Sequence, residues 1–147
     1  MRPCLDCREL NKYIVHKHFK MASLGDAVSL LDETTWMAKV DISDAYLHVP
    51  ILPAHQGYLS FEWNNRHYAF TSLPFGVSHA PRLFSAIMRA VVGILAQKGI
   101  TVVQYLDDML ILAPSEDKAR EDCKVVITLL DELGFLLSAK KCVLAPS

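Results

Sequence analysis

The sequence predicts an α+β fold, a mainly antiparallel sheet with helices on one face, and three observations point there. Apolar runs of strand length at 36–42, 58–63, 67–71 and 102–113 are separated by turn signals. Two other segments, 81–98 and the stretch after Pro114, carry apolar residues at three- and four-residue spacing instead. The order interleaves helices with strand hairpins rather than alternating strand and helix, which disfavours a parallel sheet.

Taken in chain order, Ser23-Leu24-Gly25-Asp26 resembles a capping box, and Ala27, Val28, Leu30 and Leu31 give a short amphipathic helix. Trp36 to Ile42 reads as a buried strand with a carboxylate, Asp41, near its end. Tyr58–Trp63 and His67–Thr71 flank Asn64-Asn65-Arg66, a hairpin signal because Asn tolerates the left-handed turn conformation. Glu62, Trp63 and the two asparagines belong to its surface. From Pro81 to Lys98, Phe84, Ile87, Met88, Val91 and Leu95 form an apolar stripe that Leu83 and Val92 widen, and Gly99 ends it. Val102 to Ala113 splits into two strands around Leu106-Asp107-Asp108. Pro114-Ser115-Glu116-Asp117 caps a further helix, with acids at the positive end of its dipole. Its buried face is expected to carry Ala119, Cys123, Val126, Ile127, Leu130 and Leu133, and Gly134 closes it. Two short extended segments then bracket Lys140-Lys141.

A chain of 147 residues with 52% hydrophobic residues can bury a substantial core and is not disordered. Its net charge of −1 leaves any polyanion site local. One candidate is the N-terminal stretch, where Arg2, Arg8, Lys12, Lys17 and Lys20 outnumber Asp6 and Glu9, with a solvated basic face as the alternative. No stretch approaches the ~18–20 apolar residues of a membrane span and no signal-peptide core opens the chain, so cytoplasmic or nuclear residence is expected. Cys4 and Cys7 form a C-x-x-C pair with no second pair to complete a zinc site, which favours packed free thiols over a metal or redox role. Both ends break off abruptly, as in a piece of something larger.

The chemistry centres on Asp107 and Asp108, two carboxylates inside an apolar stretch. Desolvating an unpaired carboxylate costs several kcal/mol or more, so such a pair calls for a partner such as a divalent metal. Asp41 has the same surroundings: apolar strand, acid, polar turn. Two such strands side by side can hold two Mg²⁺ ions ~3.5–4 Å apart for in-line phosphoryl displacement. Spacing alone leaves a solvated turn open as the alternative.

The surrounding motifs resemble the fingers-palm core of reverse transcriptases. Tyr105-Leu106-Asp107-Asp108 is similar to the family's YxDD motif, and Val40-Asp41-Ile42-Ser43-Asp44-Ala45-Tyr46 with Val49-Pro50 to its first catalytic motif. Leu73-Pro74-Phe75-Gly76-Val77-Ser78-His79-Ala80-Pro81, with Phe84 and Met88, resembles the LPFG-and-helix motif. Leu5 to Lys12 resembles the fingers strand and turn, and Gly134-Phe135 with Lys140-Lys141 the lysine motif after the catalytic acids. The five motifs stand in the family's order. His48, the Pro-Phe-Gly form and Ala80-Pro81-Arg82-Leu83-Phe84 look most like retrotransposons, DIRS-type elements first and other long-terminal-repeat elements second.

The resemblance implies a polymerase palm-like sheet. Residues 1–35 would form a partial fingers segment and 36–147 the palm, with an inserted fingers hairpin at about 50–80. It implies an RNA-directed DNA polymerase: the primer 3′-hydroxyl attacks the α-phosphate of a dNTP on an RNA or DNA template and releases pyrophosphate. Asp41 and Asp107 would be the main ligands of two Mg²⁺ ions, with Mn²⁺ as an alternative, and Asp108 a weaker ligand. Tyr46 would be the steric gate against a 2′-hydroxyl. Arg2 would contact the triphosphate, and Lys140 or Lys141, Lys140 slightly favoured, would face the β,γ-phosphates. Phe75, Gly76 and Tyr105 would line the substrate pocket, while Pro81 and Arg82 would touch the template side. Asp44 is expected to cap a turn rather than bind metal. Retroviral members carry glutamine where Phe75 stands, so sugar or base contacts there would differ. His79 stands where Asn or Ser is usual and Met109 where Ile is common, and neither of these two changes removes a ligand. The thumb and ribonuclease H of a larger polyprotein would lie outside this chain, so by itself it is expected to bind primer-template weakly and with strong salt dependence.

The competing reading is a catalytically silent, nucleic-acid-binding retroelement relic, which retention of all three carboxylates and Tyr46 disfavours. A phosphoacceptor α/β domain would place its acid pair early and alternate parallel strands with helices, which this order does not do.

Overall fold

The computed structural model describes residues 4–15, 17–19, 25 and 29–143. Its contacts divide the chain into two compact units, Met1–Phe19 with Ala45–Phe84, and Lys20–Asp44 with Ser85–Ser147.

The second unit is built on a three-stranded antiparallel sheet in the order β1-β5-β4, from β1 (Trp36–Asp41), β4 (Thr101–Tyr105) and β5 (Asp108–Ala113). Alternation along the strands sorts side chains between two faces. Ala38, Val40, Met109, Ile111 and Val102 are buried on one face, each large side chain contributing roughly 1.5–3 kcal/mol of burial. Lys39, Asp41, Asp108 and Tyr105 share the other, because Asp41 and Tyr105 are both Cα partners of Asp108. Helix α4 (Glu116–Glu132) packs against β1 and β5. Ser115 caps it by accepting from the Lys118 N–H, as its position before the acids predicts.

Past α4 the chain returns along the free edge of β1. Lys39 and Val143 exchange both backbone hydrogen bonds at 2.9 Å, the Ser138 N–H donates to the Asp41 carbonyl at 2.9 Å, and Leu137 bridges Ile42. These are the two extended segments expected around Lys140-Lys141, and they cover a sheet edge that would otherwise be open.

The apolar stripes came out narrower than expected. In α3 (Ala80–Gln97) Phe84, Met88, Val91 and Leu95 are buried, but Leu83 and Ile87 are exposed. In α4 Leu133 lies exposed at the C-cap, while Asp122 is buried and held by Lys118 Nζ at 2.6 Å. The four-residue spacing of that ion pair was the available signal. Contrary to the sequence expectation, α3 is long and apolar enough to cross a membrane by length and composition. A core helix passes the same test, and the buried stripe of α3 is that of a core helix.

The first unit contains α1 (Arg8–Tyr13), the single turn α2 (Pro53–Gln56) and the hairpin β2 (Ser60–Trp63) with β3 (Arg66–Ala69). Asn64 and Asn65 take φ of 50° and 57°, the left-handed pair that a two-residue hairpin turn requires. Arg66 therefore starts β3 instead of belonging to the turn. Both hairpin strands are exposed, and Phe61 stacks on its cross-strand partner Tyr68 with ring centroids 5.6 Å apart. The unit's core gathers Cys7, Leu59, Leu73, Val77 and Ala80, against which Leu10 and Tyr46 pack. Cys4, Cys7, Cys123 and Cys142 are free thiols. Most of the helix expected over Ser23–Leu31 lies outside the described residues, as does Arg2.

Candidate active site

The β4–β5 connection is a two-residue loop, Leu106-Asp107, so Asp108 already belongs to β5. Leu106 takes φ of 54°, which costs a non-glycine residue about 1–2 kcal/mol. The Gln104 side chain steadies the loop by donating to the Leu106 carbonyl at 2.7 Å. The Asp107 carbonyl accepts from the Ile42 N–H at 3.0 Å, fastening the loop to the end of β1. A two-residue loop held by one such bond at each residue makes a stiff platform for the neighbouring carboxylates.

Asp41 is 3% exposed, and its Oδ1 is buried with no hydrogen-bond partner. Lys141 Nζ is 3.5 Å from that oxygen, carried there by the turn in which Ser138 O accepts from the Lys141 and Cys142 N–H groups. Lys140 and Lys141 are both exposed in this turn, and Lys141 is the one whose ammonium lies beside the acid. Lys39 Nζ pairs with Asp108 Oδ1 at 2.9 Å. Burial pushes the Asp41 carboxyl above the ordinary range, the hydrogen-bonded Asp108 carboxyl pushes the same way, and Lys141 pulls against both. The Asp108 hydrogen bond holds the Lys39 ammonium above its usual range.

Two contributors went unread in the sequence. Cys142 Sγ accepts from the Asp41 N–H at 3.3 Å, across a separation of 101 residues. Lys39 interrupts an apolar strand two residues before Asp41, and that period of two was the signal for it.

In the first unit, Tyr46 sits in a 3-10 turn, Ala45–His48, entered through Asp44 at φ of 48°. The Tyr46 ring centroid is 4.8 Å from that of Phe75 and 5.8 Å from that of Phe84, the latter edge-on. Gly76 has φ of 110°, and a Cβ there would lie 2.8 Å from the Leu5 carbonyl oxygen, so the position admits only glycine. Pro81 falls in the first turn of α3, where it needs no donor. Arg82, Ser78 and His79 line a cavity of ≈ 240 Å³ with Lys17, His18 and Phe19. Ser78 Oγ, His79 Nε2 and Arg82 Nε are buried without hydrogen-bond partners among the described residues.

Asp41 and Asp108 are hard oxygen donors of the kind Mg²⁺ and Mn²⁺ take, and an orphaned buried carboxylate oxygen is an acceptor a cation satisfies. The donor set therefore fits a divalent ion. Among the described residues no three His, Cys, Asp or Glu side chains converge as a metal-binding group. The expected Asp41–Asp107–Asp108 cluster is gathered as the Asp41–Asp108 pair, with Asp107 close enough to add repulsion at Asp41. Two ammonium groups divide these acids between them.

An antiparallel sheet presenting carboxylates from a hairpin tip and its neighbouring strand belongs to the class of polymerase palm domains. A family model described as reverse transcriptase (RNA-dependent DNA polymerase) matches residues 1–147, and the chain belongs to that family. The Pol polyprotein of feline endogenous virus ECE1 is 31% identical over 149 residues, covering 95% of this chain and 14% of the relative. The Gag-Pol polyprotein of baboon endogenous virus (strain M7) is also 31% identical, over 95% of this chain and 9% of its own length. The foamy viral protease-reverse transcriptase in complex with double-stranded DNA superposes with a TM-score of 0.82 at 26% identity, over 95% of this chain and 24% of that one. Its complex with an RNA/DNA hybrid gives 0.78 at 27% identity, over 95% and 19%. The chain thus spans a small part of the relatives it matches. Reverse transcriptases are generally dependent on divalent metal.

Proposed function

We propose that the chain performs template-directed DNA synthesis in a retroelement, of DIRS-type or related long-terminal-repeat kind, inside the cell. The observation that carries this reading is the buried Asp41, set opposite Asp108 in the β1–β5 register, with an Oδ1 that accepts no hydrogen bond among the described residues and has Lys141 Nζ 3.5 Å away. The primer 3′-oxygen forms a bond to the α-phosphorus of a dNTP, the bond from that phosphorus to the bridging oxygen breaks, and pyrophosphate leaves. Asp41, Asp107 and Asp108 are the residues to hold two Mg²⁺ ions, with Mn²⁺ able to substitute. When bound, these ions supply a lowered pKa at the attacking hydroxyl and neutralise charge on the leaving group.

The chain's own groups do the rest. Lys141, with Lys140 beside it, meets the triphosphate and donates a proton to the departing pyrophosphate. Arg2 offers its donor fork to the phosphates. Tyr46 excludes a 2′-hydroxyl, its ring held by Phe75 and Phe84. Phe75, Gly76 and Tyr105 line the pocket. Pro81 and Arg82 face the template, and the unpartnered donors beside Arg82 suit a backbone phosphate. Partners are an RNA or DNA template with primer, dNTPs and the thumb and ribonuclease H regions of a larger polyprotein.

Primer extension with Mg²⁺ and dNTPs tests the reading, comparing the chain, alone and within longer flanking sequence, with Asp107→Asn and Asp41→Asn. Extension should fall by at least about a thousandfold in both variants. Equal activity in wild type and Asp107→Asn would remove the polymerase assignment, and template binding without any extension would identify a silent relic.

A further inference from the structure

One side chain from far away in the chain ties down the loop after Pro74. Asn11 Nδ2 donates to the Gly76 carbonyl at 2.8 Å, and Asn11 Oδ1 accepts from the Ser78 N–H at 2.9 Å. A carboxamide offers a donor and an acceptor side by side, and only this orientation of Asn11 satisfies both backbone groups. A carboxylate could keep the bond from Ser78 but not the one to Gly76, and a methyl group could keep neither. The same loop is pressed from another direction, since the Leu5 carbonyl occupies the space a Gly76 Cβ would need. The residue before this doubly held glycine is Phe75, whose ring meets Tyr46. Helix α1, which carries Asn11, has no fully buried residue and packs the half-buried Leu10 against the unit's core, so the two Asn11 bonds add a polar attachment to that apolar one.

We infer that Asn11 is a positioning residue: its carboxamide fixes the Gly76–Ser78 backbone, and through it the Phe75–Tyr46 wall against which a nucleotide sugar is selected. The tether itself stands on geometry, and its consequence for the sugar rests on the polymerase reading above. Asn11 acts entirely through the loop. A tether of two hydrogen bonds is strong enough to hold one loop conformation and weak enough that its loss loosens the wall without unfolding the sheet.

Two measurements on the same variants separate the tether from the reading. Backbone amide exchange at Ser78 should be at least about tenfold faster in Asn11→Ala than in wild type. Asn11→Asp, which retains the acceptor, should keep Ser78 protected. Amides of Val103 and Ile111, in β4 and β5, should keep wild-type protection and so exclude global unfolding. In primer extension, Asn11→Ala should raise KM for dNTP about tenfold with kcat within about twofold, and lower discrimination against ribonucleotides; Asn11→Asp should lie between. Unchanged Ser78 exchange overturns the inference whatever the activity. Faster exchange with unchanged KM and sugar selectivity overturns the positioning role. A wild type that extends no primer, with Ser78 exchange accelerated as expected, defeats the polymerase reading and upholds the tether.

Discussion

Lys39 Nζ lies 2.9 Å from Asp108 Oδ1, diagonally across the β1–β5 register, in which Asp108 is the direct partner of Asp41. Asp108 also shares a hydrogen bond with the buried acid opposite it, while Lys141 approaches Asp41 from the returning C-terminal segment. Both lysines hold charge that a divalent cation would otherwise neutralise.

Both members of the Lys39–Asp108 pair are more than a third exposed, so the pair contributes at most about 1 kcal/mol to stability. Lys39→Met should shift the melting free energy by less than about 1 kcal/mol and tighten Mn²⁺ binding about three- to tenfold, read by electron paramagnetic resonance titration. Weaker Mn²⁺ binding in Lys39→Met would show that the lysine supports the ion site instead of competing with the ion.

Asp41 should cost the fold stability in buffer free of divalent ions. Its folded pKa is raised, first by burial and then by Asp108, so the folded state holds the proton more tightly than the unfolded chain. The resulting stabilisation is complete below the ordinary carboxylate value of 3.8 and is lost as pH rises through the folded pKa. Asp41→Asn should therefore melt higher at pH 7, by about 1 kcal/mol, flatten the acid-side pH dependence and abolish extension. A lower melting temperature for this variant would show that the Lys141 pair outweighs the desolvation.

Tyr46→Ala tests the sugar gate. The ring packs against Phe75 and Phe84, and removing it opens space beside them, where the proposed function puts the nucleotide sugar. Incorporation of UTP relative to dTTP should rise by at least about tenfold. Unaltered selectivity would reassign Tyr46 to core packing.

Gly76→Ala should destabilise the first unit by about 1–3 kcal/mol, because the new methyl group meets the Leu5 carbonyl and the backbone is left-handed. Chemical denaturation followed by Trp63 fluorescence measures it. A change under about 0.5 kcal/mol would mean that the 5–7 segment yields freely.

The sequence by itself determined the kind and order of β1, the β2–β3 hairpin, α3, β4, β5 and α4, but not of α1, a helix over Arg8–Tyr13 where a strand and turn were expected across Leu5–Lys12. Apolar runs of strand length became β1, β4 and β5, the Asn64-Asn65 turn closed its hairpin, and three- and four-residue spacing became α3 and α4. It also marked Asp41, Asp107 and Asp108 as candidate site residues, since carboxylates inside apolar strands carry a desolvation cost visible without coordinates. Helix stripes were less legible at their margins, where Leu83, Ile87 and Leu133 stay exposed and the Lys118-paired Asp122 is buried. Local pattern says which face a side chain takes, but not which neighbour waits there. Tertiary structure alone set Asp41 opposite Asp108, brought the Lys141 ammonium beside Asp41, put Cys142 on the Asp41 N–H and laid Asn11 across Gly76 and Ser78. Each of these joins residues far apart in the chain, and only the register of the strands and the path of the returning segment bring them within a few ångströms.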